Sequence, residues 1–241
     1  YSFIMGSGTG QGDPSSPPVF NTGLEPVLRV LKYANIIEAI TILIHNMNIE
    51  IPRVYCFADD NTSVGKLSLE NIRKIETTYE NFEKCSGLVL NKAKSELLLL
   101  NADDNLKNQI QANTSFKVVE KIKTLGTVID LNENCTNLNF RLLIIKIENI
   151  CNFWNKFNLT IFGRKMVAQV YIYAAINYFV SIFKPSKEQI TQMESIIVDF
   201  VKKNEKISNS RLFFSMDRGG IGLPNLNDFI LSLRTSCFKF E

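Results

Sequence analysis

The distribution of apolar residues along the chain predicts a β-hairpin close to residue 60. Residues 53–58 form an apolar run with strand character, and residues 62–66 have the composition of a strand that returns beside it. The turn falls at Asp59, Asp60 and Asn61, so two adjacent carboxylates are expected at the tip of the hairpin.

Helical spacing predicts an amphipathic helix on either side of this hairpin. In the first helix, Ser16 is the expected N-cap and Pro17 the first helical residue. In the second, Ser68 is the expected N-cap and Gly87 ends the helix. Each has one apolar face, made of Val19, Phe20, Leu24, Val27, Leu28 and Leu31 in the first and of Leu69, Ile72, Ile75, Tyr79 and Phe82 in the second.

The remaining pattern contains further strands and then a long helical region. Residues 88–90 and 96–100 have strand character, and residues 122–129 predict a short hairpin that bends near Gly126. From about residue 139 to residue 203 the periodicity indicates several helices. Strands that alternate with single helices and antiparallel turns predict an α+β fold.

The adjacent carboxylates of Asp59 and Asp60 are the first candidate for chemistry. Like charges side by side are unfavourable unless a positive ion neutralises them, which favours a divalent metal. Asp residues before Asn61 are also ordinary turn residues, whose side chains bond nearby backbone groups. Taken alone, these residues leave both interpretations open.

A glycine-rich loop, with glycines at positions 8, 10 and 12, precedes the first helix. Glycines allow tight turns and let a backbone approach a ligand closely, which favours a platform for a base or a sugar. Gln11 and Gly12 lie on this loop rather than on the apolar helix face. An ordinary loop before a well-capped helix explains the same residues, and Asp13 is interpreted as a structural or capping residue.

The composition is that of a folded protein that works inside the cell. A chain of 241 residues with 45% hydrophobic residues can bury a core, and no apolar stretch is long enough to cross a bilayer. Five cysteines without CxxC spacing predict reduced thiols rather than a disulfide framework or a zinc site. The only histidine, His45, cannot belong to a histidine metal pair.

Positive charge is concentrated in the predicted helical region. Residues 1–139 carry 13 Lys or Arg against 16 Asp or Glu, while residues 140–218 carry 12 against 6, a net charge of +6. Aromatic residues are interleaved with these cations. Two interpretations remain open, namely solvated helix faces and a basic surface that grips nucleic acid irrespective of its sequence.

Four sequence blocks, in this order and spacing, resemble the reverse transcriptases of non-LTR retrotransposons. They are Gln11-Gly12-Asp13-Pro14 with Ser16-Pro17, then Phe57-Ala58-Asp59-Asp60, then Gly87-Leu88-Val89-Leu90-Asn91-Lys92-Ala93-Lys94-Ser95, then Leu125-Gly126 with Val128-Ile129. A looser similarity continues through Phe153-Trp154, Gly163-Arg164 and residues 219–226. The resemblance therefore covers nearly the whole chain.

This resemblance implies a partial polymerase palm, an antiparallel sheet with helices, over residues 1–138. A helical thumb-like subdomain would follow over residues 139–205 and a C-terminal connector over residues 206–241. The family's fingers region and another metal-binding Asp lie upstream of the Gln-Gly block. We therefore expect the chain to be the C-terminal part of a polymerase, with those segments and an endonuclease preceding it in the same polypeptide.

The chemistry implied by the resemblance is nucleotidyl transfer, in which a primer 3′ hydroxyl attacks the α-phosphate of a deoxynucleoside triphosphate. Asp59 and Asp60 would hold two Mg²⁺ ions, Asp59 as the main direct ligand and Asp60 as a weaker or indirect one, with Mn²⁺ as an alternative. Contacts to the nucleotide or template would come from Gln11, Gly12, Phe57, Ala58 and Lys94, the primer grip from Leu125 and Gly126, and thumb contacts from Lys156, Arg164 and Lys165. An exposed surface lysine and a plain β-hairpin remain the alternatives for Lys94 and for the primer grip.

The implied partners are an RNA template, a DNA primer and deoxynucleoside triphosphates, without a membrane. The implied location is intracellular, as a ribonucleoprotein of nucleus and cytoplasm that is not secreted. A second interpretation is a catalytically inactive relic of such an element, which folds and binds nucleic acid only. A metal-dependent phosphohydrolase that uses Asp59 and Asp60 ranks third, because it leaves the Gln11 loop and the basic helices unexplained.

Overall fold

The computed structural model describes residues 13–34, 36–44, 46–58 and 60–237, without the side chains of Ser236 and Cys237. The chain forms two compact units, Tyr1–Ile122 and Lys123–Glu241. Helices are combined with small two-stranded sheets, so the predicted α+β class is confirmed. Among the described residues, no helix is both long and apolar enough to cross a lipid bilayer.

The first unit places short strand pairs between longer helices. Helix α1 spans Ser16–Tyr33, α2 spans Leu69–Ser86 and α3 spans Asp104–Asn113. The strands are β1 Thr41–Ile44, β2 Met47–Glu50, β3 Val54–Phe57, β4 Asp60–Ser63, β5 Glu96–Leu98 and β6 Lys117–Val119, while β7 Lys121–Thr124 leads into the second unit. The pairs β1–β2 and β3–β4 are antiparallel, and β5 pairs with β6 in parallel.

Helix α2 begins and ends where its sequence predicts. The Ser68 side chain accepts a hydrogen bond from the backbone N–H of Asn71, which satisfies a free donor of the first turn. At the other end Gly87 has a φ of 71°, a left-handed conformation that glycine adopts without a Cβ penalty. The Asn71 side chain also donates to the carbonyl of Lys66, at 2.9 Å. The helix start is therefore tied to the segment before it.

The start of α1 differs from the prediction by one residue, because Ser16 is already helical and Ser15 holds the N-cap position. The Asp13 carboxylate accepts hydrogen bonds of 2.8 Å from both the backbone N–H and the hydroxyl of Ser15. These bonds lower the pKa of Asp13. Asp13 is thus a structural residue of the helix start, as predicted.

Only the later turns of α1 contact the core. Leu24, Val27 and Leu31 are buried with Ile37, and residues of α2 pack against this cluster. Val19 and Phe20, which the apolar pattern places on the same face, are exposed. The predicted apolar face is therefore wrong for its first turns.

The β3–β4 hairpin is present, but its turn lies one residue earlier than predicted. Phe57 and Asp60 are Cα partners, so the connecting loop contains only two residues. Asp60 and Asn61 consequently belong to strand β4 rather than to the turn. Ala58 has a φ of 53°, the positive value that two-residue hairpin loops use but that alanine rarely adopts.

Two further strand predictions need correction. Residues 88–90 have no regular secondary structure, and the backbone N–H of Leu90 instead donates to the Glu83 carboxylate at 3.0 Å. The β1–β2 hairpin is a second difference, because no strand was predicted over its residues. Its residues are exposed on both faces, so the alternation of apolar and polar residues that marks a half-buried strand is absent.

In the described part of the second unit, the regular structure is helical apart from one hairpin, in which β8 Thr127–Asp130 pairs with β7. Its helices are α4 Cys135–Trp154, α5 Ile161–Val167, a π-helix Ala168–Tyr173, α6 Ala174–Ile182, α7 Lys187–Lys202, α8 Asn209–Phe213, a 3₁₀ turn Met216–Arg218 and α9 Leu226–Cys237. The predicted helical region is confirmed, although α4 begins earlier, at Cys135. The compact units divide after residue 122, and the subdomain boundaries at 138 and 205 stay predictions.

A glycine-rich segment after α8 packs into the core of this unit. Its residues Ile221 and Leu223 are buried with residues of α4, α6 and α7. The backbone of Ile221 donates to the carbonyl of Arg211 at 2.9 Å, and that of Leu223 to Leu212 at 2.8 Å. A Cβ on Gly220 would lie 2.0 Å from the carbonyl oxygen of Phe214, so this close approach requires glycine.

Asn139 joins α4 to the β7–β8 hairpin through a fully buried side chain. Its Oδ1 accepts from the backbone N–H of Val128 at 2.9 Å, and its Nδ2 donates to the Val128 carbonyl at 2.7 Å. A further bond of 2.7 Å runs from Nδ2 to the carbonyl of Cys135. The buried amide is therefore satisfied, and it holds β8 against the first turns of α4.

Candidate active site

Three of the predicted site residues, Gln11, Gly12 and Asp59, lie outside the described residues. Phe57, Ala58 and Asp60 lie together on the β3–β4 hairpin. The other candidates lie on different elements of the two units.

The two faces of the β3–β4 hairpin have different surroundings. Side chains alternate between faces along a strand, and directly paired residues share a face. An inner face therefore carries the pairs Val54 with Ser63 and Cys56 with Asn61, while an outer face carries Tyr55 with Thr62 and Phe57 with Asp60.

The inner face is fixed to α1 and α2, two of the helices of the first unit. Val54 packs against the core cluster of α1. Burial raises the pKa of Tyr79 on α2 despite the opposing effect of its hydrogen bond with Ser63. Just before β3, Arg53 Nη1 donates to the carbonyl of Lys32 near the end of α1, at 2.9 Å. The base of the hairpin is thus held by both helices.

The outer face is open to solvent. Phe57 is 68% exposed, Tyr55 is half exposed, and Asp60 is exposed beside Phe57. A carboxylate at the beginning of β4 can coordinate a cation or accept hydrogen bonds from a ligand. The neighbouring rings offer apolar surface to the same ligand.

The carboxylates of the β3–β4 hairpin are ligands of the kind that Mg²⁺ prefers. This ion prefers oxygen ligands and is usually bound by one or two carboxylates together with substrate phosphates. Asp60 supplies one carboxylate, and Asp59 is its neighbour in the sequence. Among the described residues, no group of three or more His, Cys, Asp or Glu could hold a metal. Asp60 and its sequence neighbour Asp59 are therefore the residues that would hold such an ion.

Lys94 lies in the connection from α2 to β5. Its backbone N–H donates to the carbonyl oxygen of Asn91 at 3.0 Å and to the side-chain Oδ1 at 3.2 Å, which fixes the turn. The Nζ atom of Lys92 is 3.0 Å from the Glu80 carboxylate. The side chain of Lys94 is exposed and forms no ion pair with another described residue. The ammonium of Lys94, unlike that of Lys92, is therefore not engaged by a described carboxylate.

Leu125 and Gly126 form the two-residue turn between β7 and β8, as predicted, with φ of 45° and 81°. The hydroxyl of Tyr178 on α6 donates to the Leu125 carbonyl. Its ring lies close to Gly126, because a Cβ there would be 3.7 Å from the ring. Tyr178 supports the predicted primer grip but is 53 residues away from it in sequence, so no local signal could identify it.

Arg164 is buried, with 5% of its surface exposed. Its Nε donates to the carbonyl of Val201 at 2.9 Å, and its Nη1 donates to the carbonyl of Leu159. Its Nη2 lies 3.4 Å from the carbonyl of Lys202. The predicted thumb contact is therefore wrong for Arg164, because the guanidinium joins the end of α7 to the segment before α5.

The other predicted thumb residues are accessible. Lys156 is exposed after the end of α4. Lys165 is partly exposed on α5, with its Nζ 3.9 Å from the sulfur of Met216. Neither lysine forms an ion pair with a described residue. Both therefore remain candidates for contacts to phosphate.

No protein-family model matches this chain. The relationship to reverse transcriptases therefore stays a prediction that rests on the four sequence blocks. The geometry of the β3–β4 hairpin is the same whether or not the chain is related to reverse transcriptases.

Proposed function

We propose that this chain is the palm and thumb part of an RNA-directed DNA polymerase of the non-LTR retrotransposon class. The observation that supports this proposal best is the β3–β4 hairpin. Its base is fixed to two helices, and Asp60, the residue that follows Asp59 in the sequence, is exposed where β4 begins. This end of the hairpin can reach into the phosphates of a bound primer and nucleotide.

In this proposal Asp59 and Asp60 would hold Mg²⁺ or Mn²⁺. When bound, the two ions activate the primer 3′ hydroxyl and stabilise the charge on the leaving pyrophosphate. Phe57 and Ala58 line the nucleotide position on the outer face of the hairpin, with Gln11 and Gly12 from the glycine-rich loop. Lys94 has a free ammonium that could neutralise the departing pyrophosphate.

The second unit provides the nucleic-acid grip of the proposed polymerase. The turn at Leu125 and Gly126 would contact the primer strand, with Tyr178 holding the turn in place. Lys156 and Lys165 would neutralise backbone phosphates without reading sequence. This division of roles assigns the chemistry to the first unit and affinity to the second.

The test is RNA-templated primer extension by the full-length polypeptide that contains this chain, with Mg²⁺ and the four deoxynucleoside triphosphates. Asp60→Asn and Asp59→Asn should each reduce extension by about a hundredfold or more, because each removes a charged metal ligand worth several kcal/mol in the transition state. Asp104→Asn is the matched control, since its carboxylate is exposed on α3. Thermal unfolding of each variant separates loss of chemistry from loss of fold.

A nucleic-acid-binding protein without polymerase activity is the second candidate function. The observation that favours it is the basic surface of the second unit, which includes Lys156 and Lys165. It predicts salt-sensitive binding to an RNA–DNA duplex without nucleotide incorporation. Extension that survives both Asp variants would show instead that the site assignment is wrong.

A further inference from the structure

A cluster of four aromatic rings lies where α4 ends. The ring centroids of Phe153, Trp154 and Phe157 are 5.5 to 5.6 Å apart in each pair, and Tyr171 of the π-helix lies 5.5 Å from Trp154. We call these four residues the aromatic cluster. Phe153 and Trp154 belong to α4, Phe157 to the segment that follows it and Tyr171 to the π-helix, so the spacing depends on how α4 and the segment after it pack against the π-helix.

The aromatic cluster is only anchored in the core, not enclosed by it. Trp154 packs against the core of the second unit, and its partners are largely open, with Phe153 53%, Phe157 47% and Tyr171 48% exposed. Exposed aromatic residues that contact one another form a patch that can bind a partner. If these rings served only to fill the core, three of the four would not be half exposed.

Two lysines border the aromatic cluster. Lys156 lies between Phe153 and Phe157 in sequence and is exposed. The Nζ of Lys203 lies 3.5 Å from the backbone carbonyl of Asn155. Neither ammonium forms an ion pair with a described residue, and Glu205 lies 4.0 Å from Arg164 instead. The patch therefore combines open rings with free positive charge.

Arg164 explains why these groups meet. Its guanidinium bonds the carbonyl of Leu159, just after Phe157, and the carbonyl of Val201, just before Lys203. One buried residue thereby holds the end of α7 next to the end of α4. The arrangement is built into the fold rather than left to exposed side chains.

We propose that the aromatic cluster with Lys156 and Lys203 is a binding site for single-stranded nucleic acid. Unpaired bases would stack on the exposed rings while the two ammonium groups neutralise the phosphates between them. This combination of stacking surface and positive charge is how proteins hold single strands irrespective of sequence. The inference goes beyond the proposed polymerase function, because it requires no metal and no active-site carboxylate.

Charge and shape favour this occupant over others. A protein partner would be expected to meet few charges at the centre of its interface. Here Lys156 lies between two of the aromatic residues in sequence, and the Lys203 Nζ lies 3.5 Å from the carbonyl of Asn155, the residue after Trp154. A duplex hides its base faces in the stack, so only its phosphates could be bound. Unpaired nucleotides offer both a flat face and a negative charge.

Intrinsic fluorescence gives a direct readout, because Trp154 is the only tryptophan of the chain and belongs to the aromatic cluster. We would titrate the full chain with an oligo(dT) and an oligo(U) strand of about 12 nucleotides, within the usual site sizes for single strands. We expect saturable quenching of Trp154. A duplex of the same length should bind at least about tenfold more weakly at moderate salt, since stacking is lost.

The variants separate stacking from charge. Phe153→Ala and Phe157→Ala should each weaken binding at least about fivefold, the lower end of the effect of one lost stacking residue. Lys156→Gln and Lys203→Gln should each reduce the salt dependence by about 0.7 in the logarithmic slope. Phe214→Ala is the matched control, because this phenylalanine is equally exposed but lies outside the aromatic cluster. Filter binding would confirm each affinity without fluorescence.

Three results would overturn the proposal. They are equal quenching by duplex and single strand, unchanged affinity of the Phe153→Ala and Phe157→Ala variants, and quenching by anionic phosphatidylserine vesicles but not by oligonucleotides. Asp60→Asn should bind the single strand as tightly as the unchanged chain. Failure of this inference is therefore distinguishable from failure of polymerase activity.

Discussion

Arg164 shows how much structure a single residue can organise. Its planar guanidinium carries five N–H donors in a fixed fork, so it can bond carbonyls from several directions at once. In this chain those carbonyls belong to Leu159, Val201 and Lys202. The last two lie at the C-terminal end of α7, where the helix macrodipole also favours a positive charge.

Arg164→Lys should therefore destabilise the second unit by about 3 kcal/mol, because one ammonium cannot replace the bonds to both segments and leaves buried carbonyls unsatisfied. Chemical denaturation of the full chain, followed by Trp154 fluorescence, measures the effect. Lys165→Gln at the next position should change the free energy of unfolding by less than about 0.5 kcal/mol. Equal stability of the two variants would mean that the buried bonds contribute little.

Glu76 has a comparable role in the first unit. Its carboxylate on α2 accepts from the Thr114 hydroxyl at 2.8 Å and from the backbone N–H and hydroxyl of Ser115 at 2.7 and 2.8 Å. Burial raises the pKa of Glu76, but these bonds outweigh it, so the pKa lies below its ordinary value of 4.5. The carboxylate thus ties α2 to the segment between α3 and β6.

Because the folded pKa is lowered, this stabilisation is complete above about pH 4.5 and is lost as the pH falls through the folded pKa. Glu76→Gln should reduce the free energy of unfolding by about 1 kcal/mol at pH 7, with a smaller difference below pH 4. Denaturant titrations at several pH values provide the measurement. Glu96→Gln, at an exposed carboxylate on β5, should show neither effect. A difference that does not depend on pH would contradict this account.

At the scale of elements, neighbouring glycines of the segment after α8 have different tasks. Gly219 has a φ of 71°, but a Cβ added to it would meet no atom within 4 Å, so its constraint is conformational only. Gly220 does not adopt a left-handed conformation. A Cβ there would have no space, because the Phe214 backbone occupies the position. The segment therefore combines one turn glycine with one packing glycine.

This difference predicts unequal costs for the same substitution. Gly219→Ala should cost about 1 kcal/mol, the strain of a left-handed alanine. Gly220→Ala should cost about 3 kcal/mol or more, because residues 211–215 and 220–223 must separate to admit the methyl group. Thermal unfolding of both variants tests this order. The reverse order would show that the backbone pairing at Ile221 and Leu223 contributes little to stability.

The sequence predicted some elements better than others. The difference depends on whether the residues that determine an element lie close to it in sequence. Helix α2 was predicted at both ends because Ser68 and Gly87 act on groups within four residues of themselves. The turn of the β3–β4 hairpin was misplaced because the positive φ of Ala58 has no signature in alanine. The burial of Arg164 was missed because arginine is usually exposed and because two of its three carbonyl partners lie 37 and 38 residues away in sequence.

At the scale of the whole molecule, the two units have cores of very different size. Among the described residues, buried apolar side chains of the second unit form one large cluster that includes Phe140, Ile147 and Ile197. The first unit divides its buried residues between two small clusters. Since burial of apolar surface is the main stabilising contribution, the second unit should be the more stable one.

Hydrogen exchange of the full chain tests this expectation. Amides of α4 and α7 should exchange at least about tenfold more slowly than those of α1 and β3, because local opening of the first unit exposes less apolar surface. Mass spectrometry of peptides from both units gives the comparison. Ile147→Ala should abolish most of the excess protection, while Ile145→Ala, an exposed neighbour, should preserve it. Equal protection in both units would contradict the prediction.

Asn139 also prevents the β7–β8 hairpin from pairing with a further strand at Val128. Its amide occupies both backbone hydrogen-bonding groups of Val128, the groups that a further strand would need. Unpaired strand edges are the usual template for aggregation between chains, and proteins block them by covering them. One side chain that imitates a peptide group thus closes this edge, and a variant without the amide would be expected to offer it to another chain's strand.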